Sequence, residues 1–426
     1  MIKIIKDELN NRSAIFSAVE TKVDVGAIVS EIIEKVKAEG DDALYYYTEK
    51  FDKAKLTSLK VTQEEIEDAV KSVDKEFLTV LEKASANIRE FHEKQKREGF
   101  EIRKEEGIII GQKVIPVDVA GIYVPGGTAS YPSTVLMDAI PALVAGCERV
   151  VMVSPPDKEG KINPVILASA YVAGVKEIYK VGGAQAIAAL AYGTQSIPKT
   201  DKIVGPGNAF VAEAKRQVYG QVSIDMIAGP SEIMVIADSK NRPMDIACDL
   251  LSQAEHDKMA SAVLITDSEE FAQKVAEEIE KQLDGLQRKE IARVSIDTNG
   301  KIIITKDLTR AVEIANAIAP EHLELCVDEP FYYLEKIKHA GSVFLGRYCP
   351  EAIGDYFAGT NHTLPTSGTA RFSSPLSVDD FIKKTQYIYY DKNALQSVCK
   401  DVEYFAKKEG LTAHARSAVC RFEEEL

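Results

Sequence analysis

Apolar residues change their period part-way along the chain. From the N-terminus to about residue 110 they recur at three- and four-residue steps between charged positions. Val25 to Lys37 (VGAIVSEIIEKVK) and Ser72 to Gln95 follow this rule. Such spacing gathers apolar side chains on one helical face and leaves the other to water. His92 lies there among Glu93, Lys94 and Lys96, and is expected to be an exposed surface histidine.

Near Val114 the texture changes. Short apolar runs at Ile115 to Val124, Arg149 to Val153, Glu177 to Val181, Lys202 to Val204 and Ile233 to Ala237 predict strands. Between them, Val135 to Ala145, Pro164 to Ala173, Ala184 to Ala191 and Ala209 to Tyr219 predict helices. A second block predicts strands at Ala262 to Thr266, Arg293 to Ile296, Lys301 to Ile304, Leu323 to Val327 and Ser342 to Leu345, with a helix from Ser268 to Leu283. Strand-helix alternation with short links argues for parallel sheets covered by helices. After Pro375 the chain predicts a small, mainly helical tail.

The bulk numbers narrow the class. A chain of 426 residues is too long for one ordinary core. It is 45% hydrophobic and 28% charged, a soluble globular balance. No apolar run reaches the roughly 18 residues of a membrane helix, and the N-terminus has no signal-peptide pattern. A net charge of −14 opposes non-specific nucleic-acid binding and leaves a cationic small molecule possible as a ligand. The six cysteines form no CxxC pair, which predicts free thiols in a reducing, cytoplasmic setting.

Two Gly-rich loops could hold a dinucleotide: Val124-Pro125-Gly126-Gly127-Thr128 and Gly205-Pro206-Gly207-Asn208-Ala209-Phe210. The second follows a strand and opens a helix, the geometry that presents backbone N–H groups to a phosphate. It lacks the third glycine of the dinucleotide fingerprint, so a plain strand-to-helix turn explains it equally. Gly182-Gly183 follows another strand and precedes Gln185. Gly-rich turns after successive strands put these loops at the carboxyl ends of a sheet, where ligands bind.

Imidazoles supply the other signal. Gln253 and His256 in LSQAEHD are three apart and would share a helical face able to reach one ion, unless that face is merely polar. Adjacent Glu321 and His322 in APEHLE predict a loop-to-helix junction carrying two proton-transfer groups. Asp355, in GDY, is expected on a loop, with His362 just beyond. Glu409 and His414 lie in the tail segment EGLTAH, where a histidine is ordinarily a surface residue. His339 is expected to be structural, within a helical run. Cys147 and Cys349 leave open a cysteine-dependent aldehyde dehydrogenase, a zinc hydrolase would need no Gly-rich loops, and a non-catalytic binding protein would need lost catalytic residues.

The segments GIYVPGG (121–127), VGGAQAIAALAYGT (181–194), VGPGN (204–208), AGPSE (228–232), LSQAEHD (251–257), APEHLE (319–324), GDYFAGTNHTLPT (354–366) and GLTAH (410–414), in that order, closely resemble the histidinol dehydrogenase family, from about residue 20 to about residue 420. The resemblance implies zinc-dependent oxidation of L-histidinol to L-histidine through the aldehyde, with two NAD reduced. It implies Glu321 and His322 as the catalytic pair. Gln253, His256, Asp355 and His414 would be zinc ligands, with His414 and Glu409 given across a homodimer. Ser231, His362 and Glu409 would contact substrate together with those ligands and His322, and Tyr123, Gln185 and Asn208 would contact NAD. The implied fold is α/β, with two incomplete Rossmann-like parallel-sheet domains and small helical extensions at both ends. The division expected is an arm at 1–21, a discontinuous α/β domain at 22–121 and 232–375, a second at 122–231 with the NAD loops, and a dimerisation tail at 376–426.

Overall fold

Runs of Val and Ile after Val119 build a five-stranded sheet, seen in a computed structural model that describes residues 1–17, 24–104, 107–126 and 131–422. Its order is Glu177–Lys180, Arg149–Ser154, Val119–Tyr123, Lys202–Val204, Ser223–Ile224, and every pairing is parallel. In chain order this is third, second, first, fourth, fifth. The direction of travel reverses between Val119–Tyr123 and Lys202–Val204, so the loops after Tyr123 and Val204 diverge at a switch point, where a crevice opens beyond the carboxyl ends. Buried Ala-rich helices cover the faces; Gly183–Tyr192 is buried from Ala184 to Ala191. Small side chains let such a helix lie close against the sheet.

A six-stranded parallel sheet runs Lys3–Lys6, Lys301–Ile304, Ser261–Thr266, Glu232–Ala237, His322–Cys326, Ser342–Leu345. Without its N-terminal edge strand it repeats the same order. Apolar residues of alternating faces pack into separate clusters on its two sides, one around Val235 and Leu264, the other around Met234 and Ile265.

Both sheets belong to one unit formed by Met1–Gln95 and Val117–Phe381. A second unit takes Lys96–Pro116 and Ile382–Leu426. It holds an antiparallel sheet ordered Ile382–Tyr390, Ile108–Pro116, Phe100–Arg103, and the helices Lys392–Lys408 and Thr412–Val419.

Several expectations need correction. Arg293 to Ile296 is not a strand but part of the helix Lys289–Thr298, whose Ala292, Ser295 and Ile296 form a helical stripe against the core. Ile115 to Val124 is not one strand; it breaks at Val117-Asp118, and its halves join different sheets. The N-terminal region includes the strand Lys3–Lys6, and the tail includes the strand Ile382–Tyr390. His92 is fully buried, not exposed: it continues the stripe Leu81, Ala84, Ser85, Ile88 along one helical face. Its Nδ1 donates to the Ile88 carbonyl (2.7 Å), and burial lowers its pKa. His339 lies in a bend after the helix Pro330–Leu334 rather than within a helix, and its N–H donates to Asn316 Oδ1 (3.2 Å). Every described cysteine is free, with Cys147, Cys326 and Cys399 buried. Among the described residues no helix is long and apolar enough to cross a membrane.

Candidate active site

A cavity of about 620 Å³ lies between the carboxyl ends of the five-stranded sheet and the amino ends of the six-stranded one. Pro125 and Gly205 to Asn208 line it from the first side, Ser231, Glu321 and His322 from the second. Gln253, His256, Asp355 and His362 complete the polar wall. The first sheet thus uses the end expected for a parallel sheet, and the second uses the opposite end.

Glu321 and His322 stand where a helix gives way to a strand, not where a loop enters a helix. The helix Leu308–Ile318 stops at Ala319, which takes φ +57, and Pro320 prevents its continuation. His322 then opens its strand opposite Ile233. That register sets both side chains against Glu232. Its N–H donates to Glu321 Oε2 (2.8 Å), and its carbonyl accepts from His322 Nδ1 (2.9 Å). A carbonyl can only accept, so Nδ1 carries a proton and Nε2 is the nitrogen left for chemistry. Gln253 Nε2 lies 3.3 Å from the same carbonyl and 3.0 Å from Nδ1; with Nδ1 protonated, the carbonyl is its acceptor.

Asp355 is on a helix, Glu351–Tyr356, one turn after Glu351, and not on a loop. This places Asp355 Oδ1 3.7 Å and Glu351 Oε1 4.0 Å from His322 Nε2. His256 lies in the turn after the helix Pro243–Ala254, so it follows Gln253 just off the helix end, its N–H donating to the Gln253 carbonyl (3.1 Å).

Burial and mutual charge set the proton affinities. Burial pushes Glu321 up to about 8, although His322 pulls the other way. Burial works against a charge on His322, but Glu321, Asp355 and Glu351 outweigh it and raise the ring to about 10. Burial raises Glu351 to about 7. It also lowers His256 and His362. Asp355 is pushed up by burial, but the imidazoles around it hold it below the usual carboxylate range.

The donor set suits a divalent cation. Gln253 Oε1, His322 Nε2 and His362 Nε2 are buried without a hydrogen-bond partner. Single ligand atoms of His322, Glu351 and Asp355 also lie within 4.8 Å of one another. Unpaired lone pairs such as those of Gln253 Oε1 and His362 Nε2 are costly unless something electropositive meets them.

The histidinol dehydrogenase family model matches residues 17–422. The chain belongs to the histidinol dehydrogenase family. It is 54% identical to histidinol dehydrogenase of Clostridium acetobutylicum over 99% of both chains, and 57% identical to that of Bacillus cereus over 93% of this chain and 92% of the other. The crystal structure of histidinol dehydrogenase from Elizabethkingia anophelis superposes with a TM-score of 0.94 at 41% identity, covering 99% of this chain and 98% of that one. Membership in the histidinol dehydrogenase family makes the chain an enzyme, an oxidoreductase.

Of the expected histidinol dehydrogenase site residues, the cavity gathers Asn208, Ser231, Gln253, His256, Glu321, His322, Asp355 and His362. Asn208 also caps the helix Ala209–Val218, its Oδ1 accepting from the Phe210 and Val211 N–H groups (3.0 and 3.2 Å). Tyr123 and Gln185 are buried and do not line the cavity. Both approach Gly183, whose N–H donates to Tyr123 Oη (3.1 Å) and at which a Cβ would lie 2.8 Å from Gln185 Oε1. Glu409 and His414 belong to the second unit, where both are exposed. Gly127 and Thr128 lie outside the described residues. Neither Cys147 nor Cys349 is among the described residues lining the cavity, and burial pushes the Cys147 thiol up to about 12, far from a usable thiolate. Sequence reasoning missed Glu232 and Glu351. Glu351 had a readable signal in its i, i+4 spacing to Asp355. Glu232 had none, because it acts on the pair through its main chain.

Proposed function

We propose that this enzyme oxidises L-histidinol to L-histidine through histidinaldehyde, passing four electrons to two NAD, with one zinc ion per subunit. What carries the reading is the Glu321–His322 pair, held by the backbone N–H and carbonyl of one residue, Glu232, at the edge of a cavity whose wall also bears Gln253, His256 and Asp355. Gln253, His256 and Asp355 would hold the zinc, with His414 supplied by the second subunit of a homodimer. When bound, zinc would supply Lewis-acid polarisation and a fixed point for the substrate's nitrogens, and NAD would accept the hydrides.

With a cation held beside Asp355 to offset the carboxylates that raise it, His322 Nε2 is able to take the alcohol proton as hydride leaves the adjacent carbon. Glu321 then draws a proton from the water that adds to the aldehyde carbon. His322 returns its proton to the aldehyde oxygen as the hydrate forms, and is then free to accept a proton from the hydrate as the second hydride leaves. Burial supports the Glu321 role, because it lifts the carboxylate's proton affinity toward neutrality, where a general base is most effective. Ser231, His362 and Glu409 would grip the polar parts of the substrate, a carboxylate suiting its ammonium group. Tyr123, Gln185 and Asn208 would contact NAD. The division into an arm at 1–21, α/β domains at 22–121 with 232–375 and at 122–231, and a dimerisation tail at 376–426 belongs to the same proposal, as does a cytoplasmic setting.

The test is NADH formed per limiting histidinol, with and without a strong chelator. Two NADH per substrate, lost on chelation and restored by zinc, is the expected result. One NADH with released aldehyde removes the water-activating role of Glu321. No NADH from the metal-loaded protein overturns the substrate assignment.

A further inference from the structure

Lys215, on the inner face of the helix Ala209–Val218, is 2% exposed and forms an ion pair with Asp225 Oδ1, a carboxylate almost equally buried. Both partners also bond the backbone of one glycine, on either side of its Cα. Lys215 Nζ donates to the Gly205 carbonyl (3.0 Å), and Asp225 Oδ2 accepts from the Gly205 N–H (2.9 Å). Asp225 Oδ1 also accepts from the Met226 N–H (2.6 Å), at the head of the segment leading to Ser231. Gly205 has φ +115, and a Cβ there would lie 2.1 Å from the Tyr123 carbonyl oxygen and 3.0 Å from Asp138 Oδ2. Fully buried Asp138 therefore backs the same peptide, and its Oδ1 accepts from Thr363 Oγ1 (2.9 Å), next to His362.

A buried ion pair is a poor device for stability alone, since apolar residues of similar volume serve as well or better. What apolar residues cannot do is bind both the N–H and the carbonyl of one glycine. We infer that Lys215 and Asp225 are positioning residues for dinucleotide binding, clamping the Gly205 peptide and so fixing the loop that opens the Ala209–Val218 helix. The inference rests on the reading of Gly205 to Asn208 as the dinucleotide loop. Asp138 packs behind Gly205 and holds Thr363 Oγ1, next to His362. Neither clamp residue touches a reacting atom.

The test compares the zinc-loaded enzyme with Lys215→Met/Asp225→Asn, which removes the charge pair without leaving one charge buried. The expected result is a Tm near that of the parent and a KM for NAD raised about tenfold or more, the loss of charge-assisted bonds to the Gly205 N–H and carbonyl. The KM for histidinol should stay within about twofold. An unchanged KM for NAD overturns the proposal, and so does an equal rise in both KM values, which a merely structural role would give. If the double variant does not fold, Lys215→Arg, which keeps the charge pair but moves the donor away from the Gly205 carbonyl, carries the same expectation and the same overturning results. Asn208→Ala separates the two levels. If it leaves the KM for NAD unchanged, the loop reading falls and the clamp with it. If Asn208→Ala raises that KM and the clamp variants do not, only the clamp falls.

Discussion

His322 Nδ1 lies 2.9 Å from the backbone carbonyl of Glu232, while its Nε2 is buried with no partner. One ring nitrogen is committed to the sheet, and the other lies 3.7 Å from Asp355 Oδ1 and 4.0 Å from Glu351 Oε1. Replacing His322 by Asn removes the second nitrogen. Both half-reactions should slow by about 10²–10⁴-fold, the usual worth of a positioned acid-base group. Single-turnover rates from histidinol and from histidinaldehyde measure this, and an unaffected first half would remove His322 as the alcohol's base.

Glu321→Gln keeps an acceptor for the Glu232 N–H but cannot take a proton from water. The first hydride transfer should stay within about threefold of the parent, and the aldehyde-to-acid step should fall by about 10²-fold or more. Rapid mixing with histidinaldehyde isolates the second step. Equal losses in both steps would contradict the division of labour.

Buried His92 makes a pH prediction. Burial lowers its pKa from 6.5, so the unfolded chain binds the proton more readily than the native one. Its contribution to stability is complete above 6.5 and is lost as pH falls through that value. The urea midpoint of the parent should therefore drop between about pH 7.5 and about pH 5.5, and that of His92→Gln should drop less. Parallel curves for the two proteins would show that another group is responsible.

Asp138 has the opposite sense. Burial, with help from the Asp225 charge, raises its carboxyl from 3.8 to about 8. Across that window the unfolded chain has released the proton and the native chain keeps it, so stability declines as pH rises from 3.8 toward 8. Asp138→Asn cannot titrate, and its Oδ1 can still accept from Thr363. Its stability should fall less than the parent's between about pH 5 and about pH 8, measured by chemical denaturation. Parallel curves for parent and variant would mean that Asp138 is ionised in the native protein across this range.

The alternation of strands and helices was legible because the faces of parallel strands are covered, and covered strands read as continuous apolar runs. Arg293 to Ile296 misled for a related reason: a short apolar stretch has no period of its own, and here the stripe extending back to Ala292 made it a helix. His92 misled because its charged sequence neighbours point away from the face it occupies. The histidines and carboxylates of the cavity were legible as residues but not as geometry. Asp355 looked like a turn residue beside its glycine, and only the helix beginning at Glu351 brings both carboxylates to His322. The partnership of Glu321 and His322 with Glu232 left no trace, since it is written in the pairing register of two strands 89 and 90 residues apart.

That partnership bears on how the enzyme can vary. The groups at position 232 that hold the catalytic pair are an amide hydrogen and a carbonyl oxygen, which nearly every amino acid carries. Exchange of the side chain can leave the pair's support intact, and only proline, which lacks the hydrogen, would delete one of the two bonds outright. A tally of substitutions among relatives would therefore rank this position by its side-chain bond to Ser367 and pass over its larger task. What selection must guard instead is the alignment of two strands, an attribute spread over many apolar residues and owned by none of them.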